Sequence, residues 1–281
     1  MTSDTQFDTT RIDYLLGGAQ LRDTKVVVVG LGSGGAVVLE RLGMTGVGRW
    51  SLYDPDTLEL VNLVKHPARR ADLGRAKTDI ARDWLLDRNP HCAIDRIGGD
   101  VLADPEFRAD VADADVVVCA VDTPSARSFT NEVCVEQRTP CVFGSVFRTG
   151  IGGEVYAYLP GETGCHDCKA RFSLERGRDI ENWLELTDDE TQRIYGVGEV
   201  DFTASGLAAD ISIVASYHAH YVISLLAGRE SRYLTVPSFN WLTLSLRRVD
   251  GLFGAMYDTS RAVLRPQAEC HLRCGDPEGG D

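Results

Sequence analysis

The sequence predicts an α/β fold built on a mostly parallel central sheet, with C-terminal antiparallel strands and helices on both faces. Three observations carry that expectation. The run Lys25 to Val29 is apolar on both sides after its lysine and ends on a glycine cluster; strand-like and helix-like segments alternate from there to Val146; and Leu242, Leu244 and Leu246 alternate with polar residues near the C-terminus.

Taken in order, Lys25 to Val29 is the first, central strand. Beyond the glycines, Ala36, Val37, Leu39, Leu42 and Met44 recur at roughly helical spacing until Gly46. Trp50 to Tyr53 leads to Asp54 as a second strand. Arg75 to Arg88 sets Ala76, Ile80, Ala81, Trp84 and Leu85 on one stripe, and Asn89-Pro90 ends that helix. His91 to Ile97, Val116 to Val121 and Cys141 to Val146 continue the alternation, which implies right-handed crossovers. Glu154 to Leu159 reads as a further strand. Residues 169–205 are charged and without clear period, and are expected to form a crossing segment. Gly206 to Ala227 reads as a long buried helix, because its uncharged stretch still contains Ser212, Ser216, His218, His220 and Ser224, which a bilayer span would not favour. His218 and His220 point in different directions on such a helix, so packing is their expected role.

With 281 residues, no repeat and no flexible linker, the chain is expected to form a single domain over 1–281, with an N-terminal arm at 1–20 and a tail at 270–281. The 29 basic against 42 acidic residues give a net charge of −13, which repels nucleic acid and anionic membrane. The first residues are polar and acidic and lack a secretory pattern, so a cytoplasmic location is expected. There the eight cysteines serve as thiols, metal ligands or catalysts rather than disulfides.

Gly30-Leu31-Gly32-Ser33-Gly34-Gly35 stands between a strand and a helix, the Rossmann-like arrangement in which backbone amides and a helix N-terminus face an anion. Asp54 ends the next strand, where a carboxylate accepts ribose hydroxyls. A nucleotide site follows, and an NAD(P)-binding oxidoreductase uses the same opening. Asp54 and Asp56, then Lys65, Lys77 and Asp122, add two ammonium groups and three acids at the same strand ends. Hydride transfer has no need of so much phosphate-directed charge. Phosphoryl or nucleotidyl transfer does, with a carboxylate to hold Mg²⁺.

The ordered set, Gly46-Val47-Gly48 through Asp54-Pro55-Asp56 to Asn62-Leu63, then Gly74-Arg75-Ala76-Lys77 and Asn89-Pro90, resembles the ubiquitin-activating (ThiF/MoeB/HesA) adenylyltransferase family from about Leu21 to Cys274. The resemblance implies ATP with its ribose on Asp54, its triphosphate near Gly30 to Gly35, Asn62, Lys65 and Lys77, and Mg²⁺ on Asp122. It implies a homodimer. It also implies that a carboxylate, usually the C-terminal glycine of a ubiquitin-like or sulfur-carrier protein, or else that of a peptide, attacks the α-phosphorus to give an acyl-adenylate. Two departures stand out. Lys65 replaces an expected arginine, keeping the charge but losing the bidentate fork, so that Arg69 or Arg70 is open to share the contact. The arginine motif that the family takes from a partner's N-terminus is missing, which leaves Arg11 or Arg22 as candidates.

Cys165-x-x-Cys168 and Cys270-x-x-x-Cys274 offer four thiolates for a tetrahedral Zn²⁺. The resemblance supports that assignment. The extra residue in the second pair leaves open that His166 or His271 replaces a sulfur, or that the pairs are ordinary thiols. Thioester-forming relatives carry a nucleophilic cysteine between the first pair and the long helix, and no cysteine occurs from Lys169 to Glu269. The expected enzyme therefore stops at the adenylate. A non-catalytic, ATP-binding scaffold half of a heterodimer is the alternative outside catalysis.

Overall fold

The computed structural model describes residues 7–17, 21–147, 150–175, 206–248 and 253–276. Eight strands form one sheet in the order β3-β2-β1-β4-β5-β6-β7-β8. They are β1 Lys25–Val29, β2 Arg49–Tyr53, β3 Ala93–Gly98, β4 Val116–Cys119, β5 Cys141–Val146, β6 Gly152–Tyr158, β7 Trp241–Ser245 and β8 Thr259–Ala262. Strands β1 to β5 pair in parallel, and β6, β7 and β8 add on antiparallel. The helices are α1 Asp13–Leu16, α2 Ser33–Gly43, α3 Lys77–Arg88, α4 Phe107–Ala112, α5 Pro124–Glu136, α6 His166–Glu175 and α7 Ala208–Ala227.

The valine run of β1 is buried at every position because helices cover both faces of its sheet. Val26 and Val28 face Val38, Leu39 and Leu42 of α2 and Ala215, Ala219 and Val222 of α7. Val27 and Val29 face Phe107 and Val111 of α4 and Val133 of α5. Each such side chain contributes about 1.5–3 kcal/mol on leaving water. Buried Lys25 is neutralised at the strand's start by Asp110 and Asp113, each 3.1 Å from Nζ.

Three expectations change. β4 stops at Cys119, so Ala120 to Asp122 form a loop at the strand end. β7 is not half-solvated: Ser245 is fully buried, hydrogen-bonded through Oγ to the Ala255 carbonyl, because β6 and β8 flank the strand and a following loop covers it. Residues 169–175 belong to helix α6 and not to the crossing segment, whose remainder, 176–205, lies outside the described residues. No helix among the described residues is long and apolar enough to cross a membrane.

Candidate active site

In the order 3-2-1-4-5 the chain crosses the sheet in opposite directions from β1 and β4, and the carboxyl ends of these two strands part to leave a crevice. A cleft of about 1130 Å³ opens there. It is lined by Gly30, Gly32, Ser33 and Gly34, by Asp54, Asp56, Lys65 and Lys77, and by Asp122. Nine of the residues expected at the site thus share one wall system, although they come from five separate stretches of sequence.

Local structure explains each placement. Gly30 takes φ +90°, a left-handed conformation, so that the chain turns out of β1. Gly32 caps α2, whose free amides face the cleft. Gly35 does not line the cleft. It lies under the loop, where a β-carbon would come within 1.9 Å of the Gly30 carbonyl oxygen, so its lack of a side chain lets helix and strand approach. Asp54 accepts the Leu31 amide on one oxygen (2.6 Å) and the Asp56 amide on the other (2.9 Å). Burial pushes its carboxyl above the ordinary range, against the pull of Lys77 and of those amides. Each oxygen keeps a second acceptor position. Lys77 is buried and donates to Asp56 Oδ2 at 2.6 Å, with Asp54 Oδ1 at 3.7 Å. Its ammonium is therefore fixed in the cleft rather than released to solvent. Asp122 is exposed, just ahead of helix α5, where Pro124 occupies the first turn.

Two expected residues stand elsewhere. Asn62 is a helix-cap partner, its Oδ1 accepting the Glu59 amide at 2.8 Å, and it does not line the cleft. Arg11 is exposed in the N-terminal turns and lies outside the cleft of its own chain.

Sequence reading missed two groups. His66 is buried and bridges the glycine loop to the Lys65 turn: its Nδ1 accepts the Ala68 amide at 3.0 Å, so Nε2 carries the proton and donates to the Leu31 carbonyl at 3.0 Å. Its position directly after Lys65 is the only sequence signal. The cleft also continues beyond Asp122, between β5, β6, α6 and α7, to Ser145, Glu154, Lys169, Ser173, His218 and Trp241. There Lys169 donates to Glu154 Oε1 at 2.5 Å and lies 5.4 Å from the centre of the Trp241 ring, whose indole N–H donates to Glu154 Oε2 at 2.9 Å. Burial alone would raise the Glu154 carboxyl, but Lys169 and the Trp241 donor outweigh it and hold the group below the ordinary carboxylate range.

At the start of α6 the sulfurs of Cys165, Cys168, Cys270 and Cys274 all lie within 4.8 Å of one another. Cys165 is 3.9 Å from Cys168 and 3.7 Å from Cys270, and Cys168 is 3.6 Å from Cys274. Tetrahedral thiolates at about 2.3 Å from one ion stand roughly 3.8 Å apart, close to the three separations above, so the four thiols fit a metal ion. His166 and His271 are not needed to complete the set.

The family model described as the ThiF family matches residues 9–253. Molybdopterin-synthase adenylyltransferase of Escherichia coli (strain K12) is 30% identical over 214 residues, 75% of this chain and 76% of that protein. Sulfur carrier protein ThiS adenylyltransferase of the same organism is 28% identical over 251 residues, 85% of this chain and 89% of that protein. Ubiquitin-like modifier-activating enzyme 5 of Oryza sativa subsp. japonica is 30% identical over 229 residues, 76% of this chain but 51% of that protein. Among solved structures, E. coli MccB with ATP superposes with a TM-score of 0.65 at 20% identity, over 91% of this chain and 68% of that one, a likeness of fold. With its glycine loop, paired acids and lysines gathered at the switch point and the family match running over most of its length, the chain belongs to the ThiF family.

Proposed function

We propose that this protein is an ATP-dependent adenylyltransferase that activates the C-terminal glycine carboxylate of a ubiquitin-like or sulfur-carrier protein as an acyl-adenylate. The observation that carries this reading is the convergence of the Gly30 loop, Asp54, Lys77 and Asp122 on one cleft. The names of the adenylyltransferase relatives support it.

In this reading the second acceptor positions of Asp54 take the ribose hydroxyls, and the amides of Gly32 to Gly34 receive phosphate oxygens. Lys65 and Lys77 offset the triphosphate charge. A carboxylate oxygen of the carrier attacks the α-phosphorus, the bond to the β-phosphate bridging oxygen breaks, and pyrophosphate leaves. The protein's share is alignment and charge stabilisation, with no proton to remove from an ionised acid. Asp122, an exposed hard oxygen donor, would hold Mg²⁺, which when bound neutralises charge on the leaving phosphates. The four cysteines would hold a structural Zn²⁺. Asn62 acts by shaping the turn that presents Lys65.

The same reading treats the chain as one ThiF-type adenylation domain working in the cytoplasm as a homodimer, in which Arg11 of one protomer reaches the cleft of the other. With no cysteine between Lys169 and Glu269 it transfers no acyl group to a thiol in that segment. The test is ATP–pyrophosphate exchange with a β-grasp carrier ending in glycine-glycine from the same genome. Exchange is expected to require the carrier and to fall roughly 100- to 1000-fold in Asp122→Ala. Carrier-independent exchange, or none, overturns the reading.

A further inference from the structure

The cleft has two cationic sides, and nucleotide chemistry accounts for one. Among the described residues that line it, the lysines and arginines are Lys65, Lys77, Arg127 and Lys169. Lys65 and Lys77 stand with Asp54 and Asp56 beyond β2. Arg127 is committed to the Val121 carbonyl at 2.7 Å, beneath the Asp122 loop. Lys169 stands on the opposite half, on α6 over the antiparallel strands, where nothing in the proposed ATP site reaches it.

Adenylation brings an anionic acid up to an anionic triphosphate, so the acid needs a cation of its own on the approach side. Lys169 meets that need. Glu154 takes one N–H and the Trp241 ring lies beside Nζ, and an ammonium carries three N–H. One turn further along α6, on the same helix face, Ser173 lines the same cleft at 6% exposure, and its Oγ has no hydrogen-bond partner among the described residues. A buried hydroxyl without a partner is costly to retain unless something pairs with it. An ammonium and a hydroxyl at i and i+4 present two donors, the complement of a carboxylate. The backbone that carries them is set by the cysteine cluster, since the Lys169 amide bonds the Cys165 carbonyl at 3.1 Å. Glu154 tempers the ammonium, which favours presenting the acid over trapping it, as a group that must go on to attack requires.

We infer that Lys169 and Ser173 receive the free carboxylate of the acid substrate before adenylation, with Glu154 and Trp241 as positioning residues. This inference rests on the adenylation reading above and assigns its acid-binding side.

The test is ATP–pyrophosphate exchange with the β-grasp carrier ending in glycine-glycine, reading KM for carrier and for ATP separately. Ser173→Ala leaves the ion pair intact and is expected to raise the carrier KM about threefold to tenfold. Lys169→Met is expected to raise it about tenfold to a hundredfold with the ATP KM unchanged, and Lys169→Arg to restore most of the loss. Because Lys169→Met leaves Glu154 buried without its cation, the double variant Lys169→Met/Glu154→Gln is measured beside it and is expected to show the same raised carrier KM in a stably folded protein. An unchanged carrier KM in Ser173→Ala and the double variant, or equal rises in both KM values, overturns the inference while leaving adenylation standing. Wild-type protein that binds ATP yet exchanges no pyrophosphate overturns the adenylation reading and this inference with it.

Discussion

Lys77 lies between two carboxylates, 2.6 Å from Asp56 and 3.7 Å from Asp54, so the cleft holds a cation that it cannot shed to water. Lys77→Ala is expected to lower carrier-dependent exchange by roughly 100-fold and to lower the unfolding midpoint as well, since it leaves buried Asp54 without its cation. A kinetic assay paired with thermal unfolding checks both halves. Gly35→Ala is expected to act through the backbone instead. Its β-carbon would collide with the Gly30 carbonyl, at a cost of about 1–3 kcal/mol or more by denaturant titration, and ATP affinity would fall with the displaced loop. The glycine loop and Asp54 were legible in the sequence because a strand, a turn and a helix in succession fix them. Asn62 was not: its amide could serve phosphate or backbone equally, and only the three-residue reach to Glu59 decides for the backbone.

At the scale of elements, helix α6 joins the cysteine cluster to the inner cleft. Its first turn holds Cys168, and the next residue is Lys169, whose Nζ meets Glu154. Cys274→Ser is therefore expected to lower metal content by elemental analysis and to raise the carrier KM several-fold, about twofold to fivefold, with less effect on ATP. Equal effects on both substrates would contradict that coupling. The close pairs Cys165/Cys168 and Cys270/Cys274 were legible as four ligands at suggestive spacing, and the structure adds the contacts between the pairs, Cys165 with Cys270 and Cys168 with Cys274. The ion pair at Glu154 was not legible. It joins β6, β7 and α6, and no local period marks a residue whose partner is decided by how an antiparallel strand pairs with its neighbours.

For the whole molecule, the crossovers of the sheet and the packing of α7 across β5 and β6 fix where the cleft lies. The packing of α7 includes His218, fully buried, with Nε2 donating to the Val142 carbonyl at 2.9 Å and its ring against Gly144. Burial pushes its pKa down to about 4. The unfolded chain then binds the proton more readily, so this stability is complete above the ordinary histidine range near 6.5 and is lost as pH falls toward 4, by roughly 3 kcal/mol. Denaturant unfolding at about pH 7.5 and about pH 5 should show a steeper loss in wild type than in His218→Leu. Parallel losses would assign the acid sensitivity elsewhere. The parallel half of the sheet was legible from alternating apolar runs, whereas burial on both sides of β7 depends on polar, exposed β8 and on how the loop before it folds back, which no local period marks.

The central claim is that a carboxylate attacks the α-phosphorus of ATP in this cleft. Carrier whose terminal carboxylate is labelled with heavy oxygen, turned over in the presence of hydroxylamine to discharge the adenylate, tests it by mass spectrometry of the nucleotide product. Label in AMP, one oxygen per turnover, is the result the account predicts; ADP as the product, or AMP without label, would contradict it.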